Sequence, residues 1–113
     1  MKRIIAQIGL AATVIAATSV GLASSASATQ ACTNLPGPAG GRLPLCKTWV
    51  WDGNDYDGKW WTNGPSTLPS YSYLERYEDG VTHRSSYSGS YNDRDKVYFR
   101  VCDSHTRSCG RWW

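Results

Sequence analysis

The supply of aliphatic side chains is the feature that most constrains what this chain can fold into. The chain has 113 residues, and its first part has the form of an export signal. Residues 1–3 are Met-Lys-Arg, residues 4–20 carry no charge, and Ala-Ser-Ala at 26–28 offers the small side chains of a cleavage site. If residues 1–28 are removed, 113 less 28 leaves 85 residues, and these contain no Ile and no Met.

The remaining chain has few aliphatic residues but keeps all of its aromatic ones. There are six Trp, seven Tyr and one Phe. The aliphatic residues are Leu35, Leu43, Leu45, Leu68, Leu74, Val50, Val81, Val97 and Val101. This set is too small to fill the interior of the domain, and aromatic rings bury large areas, so aromatic residues must form much of the core. We expect Trp49, Trp51, Trp60 and Phe99 to lie there.

Charge and length exclude several classes of function. The signal contains Lys2 and Arg3, so its removal lowers the 12 basic residues to 10 against 9 acidic ones, a balance of +1. This balance does not predict a nucleic-acid partner. The remaining length suits one domain, and no apolar run is left to span a bilayer. We therefore expect a secreted, extracellular protein with neither nucleic acid nor membrane as partner.

The four cysteines predict disulfides, because an exported small domain with an even cysteine count is normally cross-linked. Three pairings are possible. We favour Cys32 with Cys46 and Cys102 with Cys109, since each pair brackets a turn-rich segment. No C-x2-C pair is present, so we expect no cysteine-bound metal and no cofactor.

The distribution of Gly and Pro divides the chain. Residues 29–46 form a Gly/Pro-rich arm closed by the first disulfide, in which we expect neither a helix nor a central strand. Residues 47–113 form the β domain. Short aromatic and β-branched runs separated by turn residues predict about six strands, at 47–51, 59–62, 71–77, 81–87, 96–102 and 109–113.

The expected fold is therefore all-β, a small disulfide-stapled antiparallel sandwich or open barrel. The segment 96–102 alternates most clearly, with Val97, Phe99 and Val101 on one face and Lys96, Tyr98 and Arg100 on the other. The Asp79-Gly80 pair predicts a tight hairpin. The positions of Trp112 and Trp113 are left open, either closing the core or exposed.

The tyrosines at period-two spacing point to binding. Tyr71, Tyr73 and Tyr77 share one face of a predicted strand, close to Arg76, and Arg84 and Arg100 lie on neighbouring strands. Tyr, Trp and Arg commonly anchor protein interfaces, because they combine large area with few rotamers to restrict. We favour a protein partner over a glycan.

The arm offers a second candidate contact. Leu35, Pro36, Arg42 and Leu43 lie in a stiff segment that can enter another protein's groove at low entropic cost. Arg42 also suits the acidic pocket of a trypsin-like protease, so the alternative function is a secreted inhibitor of an extracellular hydrolase. A glycan or cell-wall binding module is the third.

Candidate chemistry in the sequence is sparse. The loop 52–58 carries Asp and Asn on alternate positions, but aligning Gly58 as the sixth residue of a calcium loop places glycines at both outer ligand positions. An ordinary Asp/Asn/Gly turn explains the loop better. His83 and His105 have no spacing that brings them together for hydrolysis, so we predict no catalytic residues and no enzyme activity.

The signal ending at 26–28, the Gly/Pro segment 32–46 and the endings Val-Tyr-Phe-Arg-Val-Cys-Asp at 97–103 and Cys-Gly-Arg-Trp-Trp at 109–113 resemble small secreted actinobacterial proteins. Within that group the chain is similar to the small adaptor subunit of secreted umbrella toxin particles. The resemblance implies a non-catalytic subunit that joins a lectin with a degenerate trypsin-like domain to the repeat scaffold of a large toxin. Residues 29–42 match the arm that enters the trypsin-like cleft.

A second resemblance is to small secreted hydrolase inhibitors of the same bacteria, which share size, β structure and two disulfides. The Trp-Arg-Tyr bait of the amylase-inhibitor type is absent from this sequence. The leading expectation is thus a non-enzymatic interaction module, an adaptor whose partners are other secreted proteins in an antibacterial toxin complex.

Overall fold

Seven antiparallel strands form the part of the chain that the computed structural model describes, residues 27–113. The strands are β1 (Thr29–Pro36), β2 (Arg42–Trp51), β3 (Tyr56–Thr62), β4 (Ser72–Glu78), β5 (Val81–Ser85), β6 (Gly89–Arg94) and β7 (Val97–Asp103). One 3-10 turn, Pro38–Gly40, joins β1 to β2. Of the expected signal, only residues 27 and 28 lie within the described part. In that part no helix has the length and apolar character needed to cross a membrane.

The strands form two open sheets that pack face to face. The larger sheet has the order β1-β2-β3-β6 and the smaller has the order β5-β4-β7. Buried residues from both sheets make one core: Leu35, Leu43, Leu45, Trp60, Leu74, Tyr91, Phe99 and Val101. The all-β, antiparallel prediction is confirmed, and of the two architectures expected the structure is a sandwich.

The Gly/Pro segment contributes regular structure, contrary to the expectation for residues 29–46. β1 pairs with β2 along its whole length, and β2 is a central strand that contains Pro44. Pro44 is tolerated because it lies at the end of the β2–β3 ladder, whose last pair is Leu45 with Thr62, so only one bond at this end position is lost. The Pro44 carbonyl still accepts a 2.9 Å hydrogen bond from the Asn63 amide.

Both expected disulfides are present. Cys32–Cys46 joins residues that lie directly opposite each other in β1 and β2. Cys102–Cys109 joins β7 to the segment that follows it. Such bonds are typical of proteins that live in oxidising compartments. Each bond also fixes the pairing of two neighbouring segments, β1 with β2 and β7 with the segment after it.

The last residues lie beside β7 and settle the positions of the two final tryptophans. The amide and carbonyl of Trp113 exchange hydrogen bonds of 2.8 and 2.9 Å with Phe99, and the Gly110 amide donates to the Val101 carbonyl. Trp113 packs against the core, with its ring 6.5 Å from that of Phe99. Trp112 contacts Tyr77 and Arg100 instead. One tryptophan thus closes the core and the other covers the opposite face.

The core prediction was right for Trp60 and Phe99 and wrong for Trp49 and Trp51. Trp51 is 39% exposed and Trp49 is half-buried near the end of β2. Trp49 and Trp51 share the alternation of Leu43 and Leu45 but lie near the far end of β2, beyond the buried part of that strand. The core instead contains leucines of the supposed arm: Leu35 and Leu43 face each other across the first hairpin and are 2% and 1% exposed.

The predicted Asp79-Gly80 hairpin is confirmed. β4 ends at Glu78 and β5 begins at Val81, so the loop has two residues. Both have positive φ, 47° at Asp79 and 95° at Gly80, as a type I′ turn requires. The Asp79 carboxylate also accepts hydrogen bonds from the amides of Asp95 and Lys96, which ties this hairpin to the β6–β7 connection.

Gly58 allows the closest approach within the larger sheet. A Cβ at this position would overlap the Thr48 carbonyl oxygen and the Tyr91 hydroxyl, which themselves form a 2.7 Å hydrogen bond. The Tyr91 ring can cross β3 and reach β2 only because this residue has no side chain.

We expect Gly58→Ala to lower the free energy of unfolding by about 1–3 kcal/mol, because the new methyl group displaces a packed ring and its hydrogen bond. Chemical denaturation measures the loss. Lys59→Ala, at the exposed neighbour on the same strand, is the control and should change stability by no more than about 0.5 kcal/mol. Equal effects of the two variants would contradict this account of Gly58.

Candidate functional site

The smaller sheet turns one face to the core and the other outward. In β4, Leu74, Arg76 and Glu78 pair with Val101, Phe99 and Val97 of β7 and face the larger sheet. Side chains alternate along a strand, so Tyr73, Glu75 and Tyr77 point the other way, together with Tyr98 and Arg100. We call this second surface the outer face; its members are Tyr73, Glu75, Tyr77, Arg84, Tyr98, Arg100 and Trp112.

Aromatic rings on the outer face are in mutual contact. The ring of Tyr77 stacks on that of its cross-strand partner Tyr98, with centroids 5.8 Å apart. Trp112 lies 5.9 Å from Tyr77 at a tilted angle. Tyr98 is 39% exposed, and Tyr77 and Trp112 are partly exposed. These three rings form a continuous, solvent-accessible aromatic surface.

Arginines order the same surface. The Arg84 guanidinium lies 3.9 Å above the Tyr73 ring, and that of Arg100 lies 4.1 Å above the Trp112 ring. Arg100 also forms a 2.8 Å ion pair with Glu75. Cation–π contacts and an ion pair restrict these side chains before any ligand arrives, so binding would cost less conformational entropy. The outer face is therefore a pre-organised surface of Tyr, Trp and Arg.

The structure places the predicted tyrosines in two groups. Tyr73 and Tyr77 lie on the outer face as expected. Tyr71 precedes β4, and its ring stacks on His105 from the turn after β7, with centroids 4.5 Å apart. Tyr71 thus borders the sheet at its end and does not share the stacked cluster.

Arg76 is not on the outer face, which corrects its assignment as a partner-binding residue. Its even position in β4 turns it inward, where its Nε forms a 2.8 Å ion pair with Glu78 and its Nη1 donates to the Ser85 hydroxyl. The guanidinium lies 4.6 Å from the Trp60 ring centroid. Arg76 therefore satisfies buried polar groups between the sheets.

The arm residues also require a correction. Leu35 and Leu43 belong to the core and are not accessible to a partner. Pro36 is half-buried and Arg42 is exposed. Both backbone polar groups of Arg42 are hydrogen-bonded to Thr67: its amide donates to the Thr67 hydroxyl, and its carbonyl accepts from the Thr67 amide. This segment is a paired strand and not a free arm.

Sequence reasoning missed Tyr98 and Trp112 as members of the outer face. For Tyr98 a signal existed, because the alternation of residues 96–102 separates it from Val97 and Phe99. Once the β4 and β7 faces are aligned, it falls opposite Tyr77. Trp112 had no such signal, since its position depends on the hydrogen bonds that lay the last segment along β7.

A concave site lies at one end of the sandwich, apart from the sheet surface described above. It is a cavity of about 270 Å³, which we call the end pocket. Its walls come from both sheets: Lys47, Trp49, Tyr56, Tyr91, Val97 and Tyr98. Arg94, Asp95 and Lys96 line it as well.

Lys47 is the unusual group of the end pocket. It lies on the inward side of β2, in register with Trp60, and its Nζ is 4.2 Å from the centroid of the Trp113 ring. The Nζ donates a long 3.5 Å hydrogen bond to the Val97 carbonyl. Burial disfavours the charged form and lowers the pKa of the Lys47 ammonium to about 8. The fold therefore buries the stem of Lys47 and places its ammonium at the pocket, where the ammonium makes only this one long hydrogen bond within the described residues.

The loop between β2 and β3, which we call the acidic loop, brings the carboxylates of Asp52 and Asp55 beside Asp57 of β3 and Asp93 of β6. Asp52, Asp55, Asp57 and Asp93 each place an oxygen within 4.8 Å of the others. The Asp52 carboxylate accepts hydrogen bonds from the amides of Asn54 and Asp55, which is the turn geometry that the Asp/Asn/Gly composition predicted. These backbone hydrogen bonds lower the pKa of Asp52. Desolvation, reinforced by Asp52 and Asp93, raises the pKa of Asp55 to about 6.

No protein-family model, curated protein or solved structure matches this chain. The outer face, the end pocket and the acidic loop are therefore interpreted from their own geometry.

The lowered pKa of Lys47 has a consequence for stability above neutral pH. Between about pH 8 and pH 10 the unfolded chain retains the Lys47 proton while the folded chain releases it, so stability should rise with pH in this window. Chemical denaturation at a series of pH values tests this. We expect the rise to be absent in Lys47→Met and retained in Lys59→Met, which alters an exposed lysine. The same rise in both variants would show that another group causes it.

The acidic loop makes a separate prediction about titration. Asp55 should titrate at about pH 6 instead of its ordinary 3.8, so its contribution to stability should decrease as pH rises through that interval. Carboxyl carbon-13 NMR measures the midpoint directly. Asp52→Asn should lower it, because the like charge of Asp52 is removed. An Asp55 midpoint near its ordinary value in the unaltered protein would contradict the burial and repulsion described here.

Proposed function

We propose that the chain is an exported, non-enzymatic protein-interaction module that contacts another exported protein through its outer face. The observation that carries the proposal is the contiguous surface of Tyr77, Tyr98 and Trp112, held in place by Arg84 and Arg100. Protein interfaces are enriched in these residue types, and their best anchors are large side chains that lose little freedom on binding.

Export accounts for the two disulfides and for the form of residues 1–28. Disulfides persist in oxidising spaces and are reduced in the cytosol. The basic start, apolar stretch and small residues at 26–28 would direct the chain to such a space. Secretion thus fits both the covalent structure of the domain and the sequence that precedes it.

The sequence resemblance favours one form of this proposal, an adaptor subunit of an extracellular antibacterial toxin complex. Its partners would be a lectin with a trypsin-like domain and a large repeat-containing toxin. In that arrangement two partners need two surfaces, and β1 offers the second. It is an edge strand whose Gln30, Cys32 and Asn34 side chains are exposed.

The protease-inhibitor alternative has less structural support. A bait residue must present its backbone to the protease as an extended strand. The amide and carbonyl of Arg42 already bond to Thr67, and β1 covers the adjacent edge of β2. Arg42 would have to break these contacts before it entered a cleft, so a solvated surface charge explains it more simply.

Partner capture from culture supernatant, followed by mass spectrometry, tests the interaction module. The tagged protein should retain a defined exported protein, and Trp112→Ala and Arg84→Ala should each weaken its binding about tenfold or more, because anchor residues contribute most of the affinity. Tyr87→Ala is the matched control: Tyr87 is 43% exposed and lies outside the outer face, so its loss should leave capture unchanged.

Thermal unfolding of each variant establishes that the fold is intact. Truncation of residues 29–41 is not a usable test of the arm, because it removes β1, Leu35 and one disulfide partner at once. A protein that elutes alone from supernatant, or that binds cell-wall polysaccharide through the same residues while capturing no protein, would refute the proposal.

A further inference from the structure

The end pocket has a composition that the protein-interaction proposal does not use. We propose that it binds the carboxylate of a small ligand, with the Lys47 ammonium as the ion-pairing group and the surrounding aromatic rings as the walls that hold the ligand's body. The pocket is concave and is lined by both sheets, whereas the outer face is a surface of the smaller sheet. Tyr98 borders both sites, since its ring stacks on Tyr77 and also lines the pocket, but no other pocket residue belongs to the outer face.

The first support is the environment of the ammonium. Lys47 Nζ has three protons to donate, and among residues 27–113 its hydrogen bond is the single long one to the Val97 carbonyl. No carboxylate of these residues lies within ion-pair distance of it. The Trp113 ring face at 4.2 Å stabilises the cation but leaves its donors free. A half-buried cation with free donors is a strong site for an anion, because the low dielectric of the surroundings strengthens the attraction.

The second support is the shape and lining of the cavity. Rings of Trp49 and Tyr98 lie 5.9 and 5.7 Å from the Nζ, so the ammonium is set among aromatic groups. Tyr56 and Tyr91 continue the wall. Ligand sites are commonly apolar and aromatic with a few placed polar groups, and about 270 Å³ suits one ring-sized group. The pocket therefore matches a ring that carries an acid.

The third support is the balance of charge around the cavity. Arg94 and Lys96 add two cations to Lys47, against the carboxylate of Asp95. Arg94 is already paired with Glu78 at 3.3 Å. With Arg94 paired, Lys47 and Lys96 against Asp95 leave a net charge of +1, which suits a singly charged carboxylate better than a doubly charged phosphate.

An alternative role for Lys47 is purely structural. Trp113 pairs with Phe99 of β7, and Lys47 donates to the carbonyl of Val97, two residues earlier in that strand. The lysine would then serve to satisfy a backbone carbonyl. That role predicts a stability change on substitution but no preference for anionic ligands, so ligand binding separates the two explanations.

The test is an NMR titration of the folded protein with matched pairs of probes. Phenylacetate and phenylacetamide differ in charge on an aromatic body, and glucuronate and glucose differ in charge on a sugar body. We expect at least one acid to shift signals of Trp49, Tyr56 and Lys47 and to bind about tenfold or more tightly than its neutral counterpart. The pair that shows the preference identifies the source of the carboxylate as an aromatic acid or an acidic sugar.

Substitution then assigns the preference to one residue. Lys47→Met keeps a long apolar side chain against the rings and removes the charge, so it should abolish the preference for the acid. Lys59→Met, at an exposed lysine outside the pocket, should retain it. Equal binding of acid and neutral probes, shifts confined to other surfaces, no binding by any probe, or an unchanged preference in Lys47→Met would each overturn the proposal.

The outcome is separable from that of the outer face. Trp112→Ala and Arg84→Ala should leave probe binding unchanged, because neither residue lines the end pocket. A failed carboxylate titration with intact partner capture would remove only the pocket proposal, and the reverse result would remove only the interaction module.

Discussion

The pairing of β1 with β2 is the contact on which the rest of the structure depends. It places Leu35 opposite Leu43 on the core side, and the Cys32–Cys46 bond fixes the same register from the other side. A slip of β1 by one residue would turn Leu35 away from Leu43 and toward solvent. Since aliphatic side chains are scarce in residues 29–113, the core needs both Leu35 and Leu43. The Gly/Pro-rich segment that carries them is therefore an integral part of the sheet.

Strand alternation divides the remaining large side chains between three environments. In β4 it sends Leu74 and Arg76 inward and Tyr73 and Tyr77 outward. In β2 it sends Leu43, Leu45 and Lys47 to the same side, but only the leucines lie deep between the sheets. Lys47 lies farther along, where the sandwich opens. Both sites thus follow from the two-residue alternation of side chains. In β4 it produces the outer face, and in β2, which extends beyond the core, it produces the end pocket.

The predictable part of the fold is the part governed by local chemistry. The Asp79-Gly80 turn, the alternation of β7 and both disulfide pairs follow from residues near each other in sequence. β6 (Gly89–Arg94) was missed because its Gly, Ser, Asn and Asp are typical of turns, and it becomes a strand through pairing with β3. The outer face was half predictable, through its tyrosines, whereas Trp112 and the environment of Lys47 depend on contacts between distant segments. No local pattern encodes such contacts.

The physical cost of Lys47 bears on which of these surfaces has a function. Its neighbours are rings and a backbone carbonyl, and burial alone is enough to lower its pKa to about 8. A methionine would pack against the same rings without desolvating a charge, and apolar replacements of buried charges are often neutral or stabilising. The outer face carries no comparable cost, since its Arg84 is exposed and its Arg100 is paired with Glu75. A lysine at this position therefore costs stability near neutral pH, and an anion that enters the end pocket would offset that cost.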